Sequence, residues 1–579
     1  MVALHDPLDA EIRETLKEYD DLTAGLLSRR GITTRAEAEA FLTPSYDEHI
    51  HDPMLMKNMP KAAERIARAI DTQERITVWS DYDCDGIPGG VVLHDFLQKA
   101  GANFTNYIPH RHLEGYGLNI DGIEKLAKEG TTLIITVDSG ITDVEPVARA
   151  QELGIDVIVT DHHLPQEVLP PAFAVVDPKQ EGETYPFRDL CGGGLAWKLS
   201  CAVLQHGFKG RDNIPEGWEK WLLDMAGLST IADMVPLMGE NRVIAKYGLL
   251  VMRKSPRIGL QQLCKVARVN QRMITEDDVG FMIAPRVNAA SRMGNPRDAF
   301  DLFTATDVSE ADRLAKELER INRARRATAG AITRSVHERL DALRATTDGV
   351  LPAVIAMGDP DWRPGLLGLV ANSVAEEFSR PVFLWGREGN GSLKGSCRAG
   401  RKGVHVLELM QATPDTFHDY GGHAASGGFS VREDRVSVLE ENLCTALASL
   451  PDNSSNSFNA RADLAVHIYE ADKSMLRKLE RFAPFGMGNP KPAVAFTNVR
   501  IEAVSWFGKN GEHLKLTIRE DELSFGTDSI EAITFYARGA LGEKCDQIVA
   551  GQQVSLLANL EIDQFSRRQP VRLRILSLA

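Results

Sequence analysis

No stretch of this sequence approaches the ~20 uncharged apolar residues of a membrane-spanning helix, and the start, Met1 to Asp6, lacks the basic and apolar regions of a signal peptide. No membrane association is therefore expected, and a cytoplasmic location is. Paired cysteines are missing as well. The seven cysteines (Cys84, Cys191, Cys201, Cys264, Cys397, Cys444, Cys545) are odd in number, scattered and without a CxxC pair, which removes a disulfide framework and a cysteine zinc site. Reduced, mostly buried thiols are expected instead. Positive charge is also in short supply, with a formal net charge of −15. Nucleic-acid binding is driven mainly by Lys and Arg neutralising phosphates, so the overall balance works against a polyanionic partner. The arginines are nevertheless clustered, in Arg313 to Arg326, Arg398 to Lys402 and Arg567 to Arg574, which keeps a local basic path open.

What is there reads as ordinary globular protein, 43% hydrophobic and 25% charged. At 579 residues the chain is too long for one hydrophobic core, and about three or four domains are expected. From residue 75 to 177, β-branched runs (Arg75 to Ser80, Thr132 to Val137, Asp156 to Thr160, Phe173 to Val176) alternate with helical patterns such as Gly122 to Lys128 and Val144 to Leu153. Such alternation predicts βαβ units and a doubly wound parallel sheet, whose ligand site lies beyond the carboxyl ends of the strands. Residues 306–345 hold no Pro and one Gly and predict one long connecting helix. Ala353 to Met357 and Pro381 to Trp385 restart an α/β pattern that runs to Leu450. Pro451 to Ser457 reads as a linker, and short β-like runs after it (Ala493 to Phe496, His513 to Ile518, Val554 to Ala558) suit a small barrel of the OB type.

The strand-end rule selects the residues that carry chemistry. The first strand delivers Asp81-Tyr-Asp83-Cys-Asp85-Gly86. This matches the opening of a calcium loop, but the twelfth position is Val92 instead of a bidentate Glu, and a strand precedes it instead of a helix. A solvated acidic turn is the other bland reading. The next strands end in Asp138-Ser-Gly140 and Asp161-His162-His163. One acidic residue after a strand is commonly a helix cap, and a lone His commonly a structural hydrogen-bonding group. Three such sites at three strand ends are harder to dismiss. Carboxylates with imidazole and no thiolate suit manganese or magnesium, and a bridging carboxylate can hold two ions about 3.5–4 Å apart. Such a pair activates water and stabilises the leaving oxygen of a phosphoryl group. Asp233 follows a further apolar run, with Asp224 as its rival.

In order and spacing, the motifs DYDCDG, PHRHLEGYGL, VDSG, TDHHLP, STIADMVPL, APRVNAASRMG, LKGSCR, GGHAASGG and FAPFGMGNP resemble the Asp-His-His (DHH) phosphoesterases, and within them the bacterial single-strand-specific exonucleases, over residues 45–579. The resemblance implies a DHH catalytic domain at 46–305 behind an N-terminal arm at 1–45, the connecting helix at 306–345, a substrate-binding domain of the DHHA1 type at 346–450, and an OB-type nucleic-acid-binding barrel at 458–579. It implies two divalent ions, Mn2+ or Mg2+, held by Asp83, Asp85, Asp138, His162 and Asp233, with Asp81 as close support or additional ligand and His163 assisting catalysis at the scissile phosphate. Arg111, Arg286 and Asn288 are implied phosphate contacts. Ser396 and Arg398 supply a hydroxyl and a guanidinium suited to a terminal phosphate, though alone they read as a basic turn. His423 sits in a glycine-rich segment of the same implied domain. The implied activity is 5′-to-3′ hydrolysis of single-stranded DNA to mononucleotides in recombination and repair, with single-stranded DNA as partner and a helicase and a single-strand-binding protein as further candidates. The rivals are a small-substrate DHH phosphoesterase, disfavoured by the length beyond residue 450, and a non-catalytic DNA-binding scaffold, disfavoured by the full ligand set. The sequence departs from the family at Ile87-Pro-Gly-Gly90, where small hydroxyl residues are usual, and at Asp359 and Arg363, where His is common.

Overall fold

The structure is a computed structural model that describes residues 3–389, 391–400, 404–450, 461–508, 511–520, 529–563 and 566–578. The expected linker at 451–457 and Lys402 lie outside the described residues. Internal contacts divide the chain into two compact units: one of Arg30–Ala324 with Phe482–Lys491, the other of Met1–Arg29, Arg325–Arg481 and Pro492–Ala579.

The first unit is built on a five-stranded parallel sheet of order β2-β1-β3-β4-β5. Its strands are β1 (Ile76–Ser80), β2 (Phe104–Tyr107), β3 (Leu133–Val137), β4 (Asp156–Thr160) and β5 (Ala174–Val176). Four of them match the sequence expectation to within a residue; the edge strand β2 lacks a strong apolar pattern and is not evident from the sequence. β1 and β3 are buried along their whole length, as strands covered on both faces are. Alternation divides β3 between two cores: Leu133, Ile135 and Val137 join the helices Met59–Thr72, Gly86–Lys99 and Gly192–His206, while Ile134 joins Ile120–Lys128 and Val144–Glu152. The departure at residues 87–90 falls in this packing. All four residues are buried, and a Cβ on Gly89 would lie 2.6 Å from Val137 Cγ1 and one on Gly90 2.6 Å from Ser80 Oγ. These positions serve the close fit of helix on sheet, for which only glycine leaves room.

The segment Phe482–Lys491, which holds the whole FAPFGMGNP motif and falls inside the expected barrel span, packs in the parallel-sheet unit. The guanidinium of Arg242, 1% exposed, donates to the carbonyls of Phe482 (2.9 Å), Ala483 (2.9 Å) and Pro484 (3.4 Å), and Leu237 N–H donates to Met487 O at 2.7 Å. Burial, with Arg30 nearby, pushes Arg242 down to about 9.

The second unit holds two sheets. One is β6 (Ile355–Gly358), β7 (Val382–Arg387), β8 (Leu393–Arg398), β9 (Phe417–Gly422) and β10 (Ser426–Val431), in the order β6-β7-β8-β10-β9. Asp359 follows β6 and is paired with Arg339 at 2.6 Å, so this family departure is engaged in an internal ion pair. The other is β11 (Leu464–Ala465), β12 (Val494–Phe507), β13 (His513–Glu520), β14 (Ile530–Thr534), β15 (Gln553–Ile562) and β16 (Val571–Leu578), whose additional β12–β15 pairing closes it as a barrel. The long helix is Val308–Thr346. Its basic run is largely neutralised by its own neighbours: Arg313 pairs with Glu310 (2.7 Å), Arg320 with Glu317 (2.6 Å) and Arg323 with Glu319 (2.6 Å). All seven cysteines are free, five buried and two half-buried. Among the described residues no helix is long and apolar enough to cross a membrane.

Candidate metal centre

The ends of β1, β3 and β4 present their acidic residues at the same edge of the parallel sheet. Beyond β1, Asp81 and Asp85 are buried and Asp83 nearly so, and Asp83 Oδ1 accepts the Asp85 (2.8 Å) and Gly86 (3.2 Å) N–H groups at the start of the helix Gly86–Lys99. A Cβ on Gly86 would lie 2.5 Å from Asp81 O, so the turn requires glycine there. Beyond β3, Asp138 takes the left-handed conformation, φ 61°. Beyond β4, His162 places Nε2 at 3.1 Å from Asp138 Oδ1, 3.4 Å from Asp85 Oδ2 and 3.7 Å from Asp233 Oδ2.

These groups fall into three triads whose ligand atoms lie within 4.8 Å of one another: Asp85–His162–Asp233, Asp81–Asp83–Asp138, and Asp138–His162–His163. The first two share no residue and the third links them, which marks two separate positions for a cation. Of the two rival carboxylates, Asp233 is the one grouped with Asp85 and His162. Asp224 is engaged elsewhere, accepting from Ser255 Oγ at 2.7 Å and Arg257 Nε at 3.0 Å.

No lysine or arginine forms an ion pair with Asp81, Asp83, Asp85, Asp138 or Asp233 among the described residues. Burial first, and the charges of Asp85, Asp83 and Asp81 second, hold Asp138 well above the usual carboxylate range. Burial and then Asp83 do the same for Asp81, and burial followed by Asp85 and Asp83 pushes Asp233 up to about 9. His162 is lowered by burial. Uncompensated buried charges cost several kcal/mol each, so crowded carboxylates of this kind either bind protons or bind cations. The donor set fits a hard divalent cation: carboxylate oxygens and imidazole without thiolate, with Asp81 Oδ1 and His162 Nδ1 buried and without a hydrogen-bond partner.

The DHH family, N-terminal domain, matches residues 75–228, the DHHA1 domain 349–450 and the RecJ OB domain 462–577. The single-stranded-DNA-specific exonuclease RecJ of Bacillus subtilis (strain 168) is 35% identical over 559 residues, 96% of this chain and 67% of that protein. The protein of the same name in Haemophilus influenzae is 30% identical over 534 residues, 90% of this chain and 91% of its own length. This chain belongs to the RecJ family. RecJ in complex with Mn2+ from Thermus thermophilus shares its structure, with a TM-score of 0.79 at 26% identity over 100% of this chain and 78% of that one.

The RecJ centre rests on groups that its motifs alone do not reveal. Asp85 is cradled by the N-terminus of the helix Gly192–His206: Gly192 N–H donates to Oδ2 at 2.7 Å and Gly193 N–H to Oδ1 at 2.8 Å, while Ser229 Oγ also donates to Oδ1. A Cβ on Gly192 would lie 2.5 Å from Asp138 Cβ. The run Gly192-Gly-Gly194 was the available signal. Asp161 acts as an organiser, since Oδ1 accepts from His162 N–H (2.7 Å), His163 N–H (3.2 Å) and His163 Nδ1 (2.7 Å), and Oδ2 from Ile141 N–H (3.0 Å). Burial works against a charged His163 ring, but the Asp161 bond and charge outweigh it and raise its proton affinity. The Tyr116 hydroxyl, also not evident from the sequence, donates to Asp138 O at 3.0 Å and lies 3.2 Å from His163 Nδ1. Arg111 stacks over Tyr82, 5.0 Å from its ring centroid, and its charge opposes the upward shift of Asp81.

Two expected phosphate contacts also make bonds within the chain. Arg286 is 5% exposed and pairs with Glu319 at 2.7 Å, and Asn288 Oδ1 accepts Cys84 N–H at 2.8 Å, which holds the DYDCDG loop. A buried guanidinium is costly unless paired and hydrogen-bonded, and Glu319 supplies that pair for Arg286. In the second unit, Ser396 and Arg398 occupy alternate positions of β8 and share a face: a Cβ on Gly368 would lie 3.0 Å from the Arg398 guanidinium and 3.5 Å from Ser396 Oγ. His423 is exposed in the turn between β9 and β10, where its N–H donates to Ser426 O at 2.8 Å.

Proposed function

We propose that this chain hydrolyses single-stranded DNA with the help of two divalent cations, Mn2+ or Mg2+, entering at the 5′ end and releasing mononucleotides. The observation that carries this reading is the cluster of five carboxylates around His162 with no lysine or arginine paired to any of them among the described residues. Asp85, His162 and Asp233 would hold one cation, and Asp81, Asp83 and Asp138 the other. When bound, the pair supplies an activated water and a counter-charge for the departing 3′ oxygen. The residues of the chain do the rest. Asp161 fixes the His163 ring through Nδ1, so Nε2 of this half-exposed side chain offers a proton to a phosphate oxygen. Tyr116 braces the same ring and the Asp138 carbonyl.

End selection is assigned to Ser396 and Arg398, because a terminal phosphate carries more charge and more acceptor oxygens than an internal diester. Strand binding is assigned to the barrel, as its match to the RecJ OB domain supports. An activity limited to single strands calls for a helicase and a single-strand-binding protein as partners, in the cytoplasm. The test is a time course on end-labelled single-stranded DNA, duplex DNA and pyrophosphate, with Mn2+ and after chelation. Metal-dependent loss of the single strand from its 5′ end alone is expected. Hydrolysis of pyrophosphate, or turnover that survives chelation, overturns the reading.

A further inference from the structure

The turn after β5 carries a cation that the chemistry above leaves unused. β5 pairs with β4, so its end opens on the same edge of the sheet as Asp161, His162 and His163. The backbone of Asp177-Pro178-Lys179-Gln180 is held from several sides. Asp177 Oδ1 accepts Lys179 N–H at 2.7 Å, and the buried Gln180 amide donates to the Val175 and Asp177 carbonyls, both at 3.1 Å. Arg188 donates to the carbonyls of Pro178 (3.0 Å) and Lys179 (3.1 Å). Lys179 is thus fixed at its backbone and half-buried, yet its Nζ has no hydrogen bond or ion pair among the described residues.

Thr160 of β4 pairs with Val176 of β5, so the turn at Asp177 to Gln180 and the Asp161-His162-His163 segment are neighbours at one strand edge. A lysine beside so many carboxylates would ordinarily close an ion pair with one of them. This one is kept available on a rigid turn, a compact point charge on a flexible stem. Phosphoryl transfer spreads negative charge over the equatorial oxygens of phosphorus, and cations aimed there stabilise the transition state.

We propose that Lys179 is a further catalytic residue, whose ammonium contacts a non-bridging oxygen of the scissile phosphodiester. The inference rests on the phosphodiesterase reading above. It is tested with Lys179→Met, which keeps the stem and removes the charge, and Lys179→Arg, which keeps a charge. Both are compared with the wild type on single strands whose scissile linkage is either all-oxygen or a single phosphorothioate diastereomer. The expected result for Lys179→Met is a fall of about 10²-fold in kcat on the all-oxygen strand, with Mn2+ affinity and Tm unchanged and partial recovery in Lys179→Arg. For one diastereomer the loss should be smaller, because sulfur has already weakened the contact. Wild-type kcat in Lys179→Met overturns the inference, as does a loss equal on all three strands or a parallel loss of Mn2+ affinity. A wild type that fails to cleave any strand overturns the phosphodiesterase reading itself, which separates the two failures.

Discussion

The metal centre and the end of the barrel are both dense in charge, yet they resolve it in opposite ways. At the centre five carboxylates converge with no lysine or arginine paired to them among the described residues. In the barrel, Arg572 meets Glu561 (2.7 Å) and Asp563 (2.9 Å), and Arg574 meets Glu561 (3.1 Å). The basic segment from Arg567 to Arg574 therefore offers less to a phosphate backbone than its composition suggests, since two of its arginines are engaged by neighbours on β15 and just beyond it. The acidic motifs offer more than theirs, because among the described residues no lysine or arginine neutralises their carboxylates. The comparison teaches that charge in a sequence window becomes function only where tertiary pairing leaves it unsatisfied. Part-exposed pairs of the barrel type contribute about 1 kcal/mol or less, whereas buried like charges are a strong reservoir of binding energy for a cation.

The largest effect that would break this contrast is expected from Asp138→Asn. Asn tolerates the left-handed backbone at φ 61°, where Ala would be strained. Turnover with Mn2+ should fall at least about 10²-fold, while the melting temperature measured in chelator should rise, because one of the crowded charges is gone. Paired melts with and without Mn2+ check both signs; retained turnover, or a lower Tm in chelator, would remove the centre from its role.

Arg398→Ala should have a smaller, more selective effect. The KM for 5′-phosphorylated strands should rise about tenfold, which corresponds to about 1.4 kcal/mol, one charge-assisted contact. Strands with a 5′-hydroxyl should change little and Mn2+ binding not at all. An equal proportional loss on the two substrates would mean that Arg398 attracts the backbone generally and that end recognition lies elsewhere, with Arg111 the next residue to test.

The smallest effect is expected from Glu561→Gln, which releases Arg574 from its carboxylate partner and leaves Arg572 paired with Asp563. Affinity for a long single strand should rise about threefold and the salt dependence of binding should steepen by roughly one unit, at a stability cost below about 1 kcal/mol. Binding titrations at several salt concentrations read this directly; unchanged affinity and slope would place the strand path away from β16. Point substitution is a cleaner probe of the barrel than deleting everything after residue 452. The deletion would also remove Phe482, Ala483 and Pro484, whose carbonyls satisfy the buried Arg242 of the parallel-sheet unit.

Much of this molecule is legible in its sequence for local reasons. β-branched runs bounded by Gly and Asp fix where β1, β3, β4 and β5 lie, and the parallel-sheet rule then turns Asp81 to Asp85, Asp138 and Asp161 to His163 into one site. The long helix follows from composition, and Ser396 and Arg398 share a face because strand side chains alternate. These features depend on periods of two and 3.6 residues and on the chemistry of single side chains. Only the tertiary structure set Asp233 beside Asp85 and His162, cradled Asp85 with Gly192, Gly193 and Ser229, paired Arg286 with Glu319, moved Phe482–Lys491 into the parallel-sheet unit, and left Lys179 unpaired among the described residues. Each of these turns on which partner reaches a group first. The Gly192, Gly193 and Ser229 bonds to Asp85 span 107, 108 and 144 residues, and no local period encodes a contact at that separation.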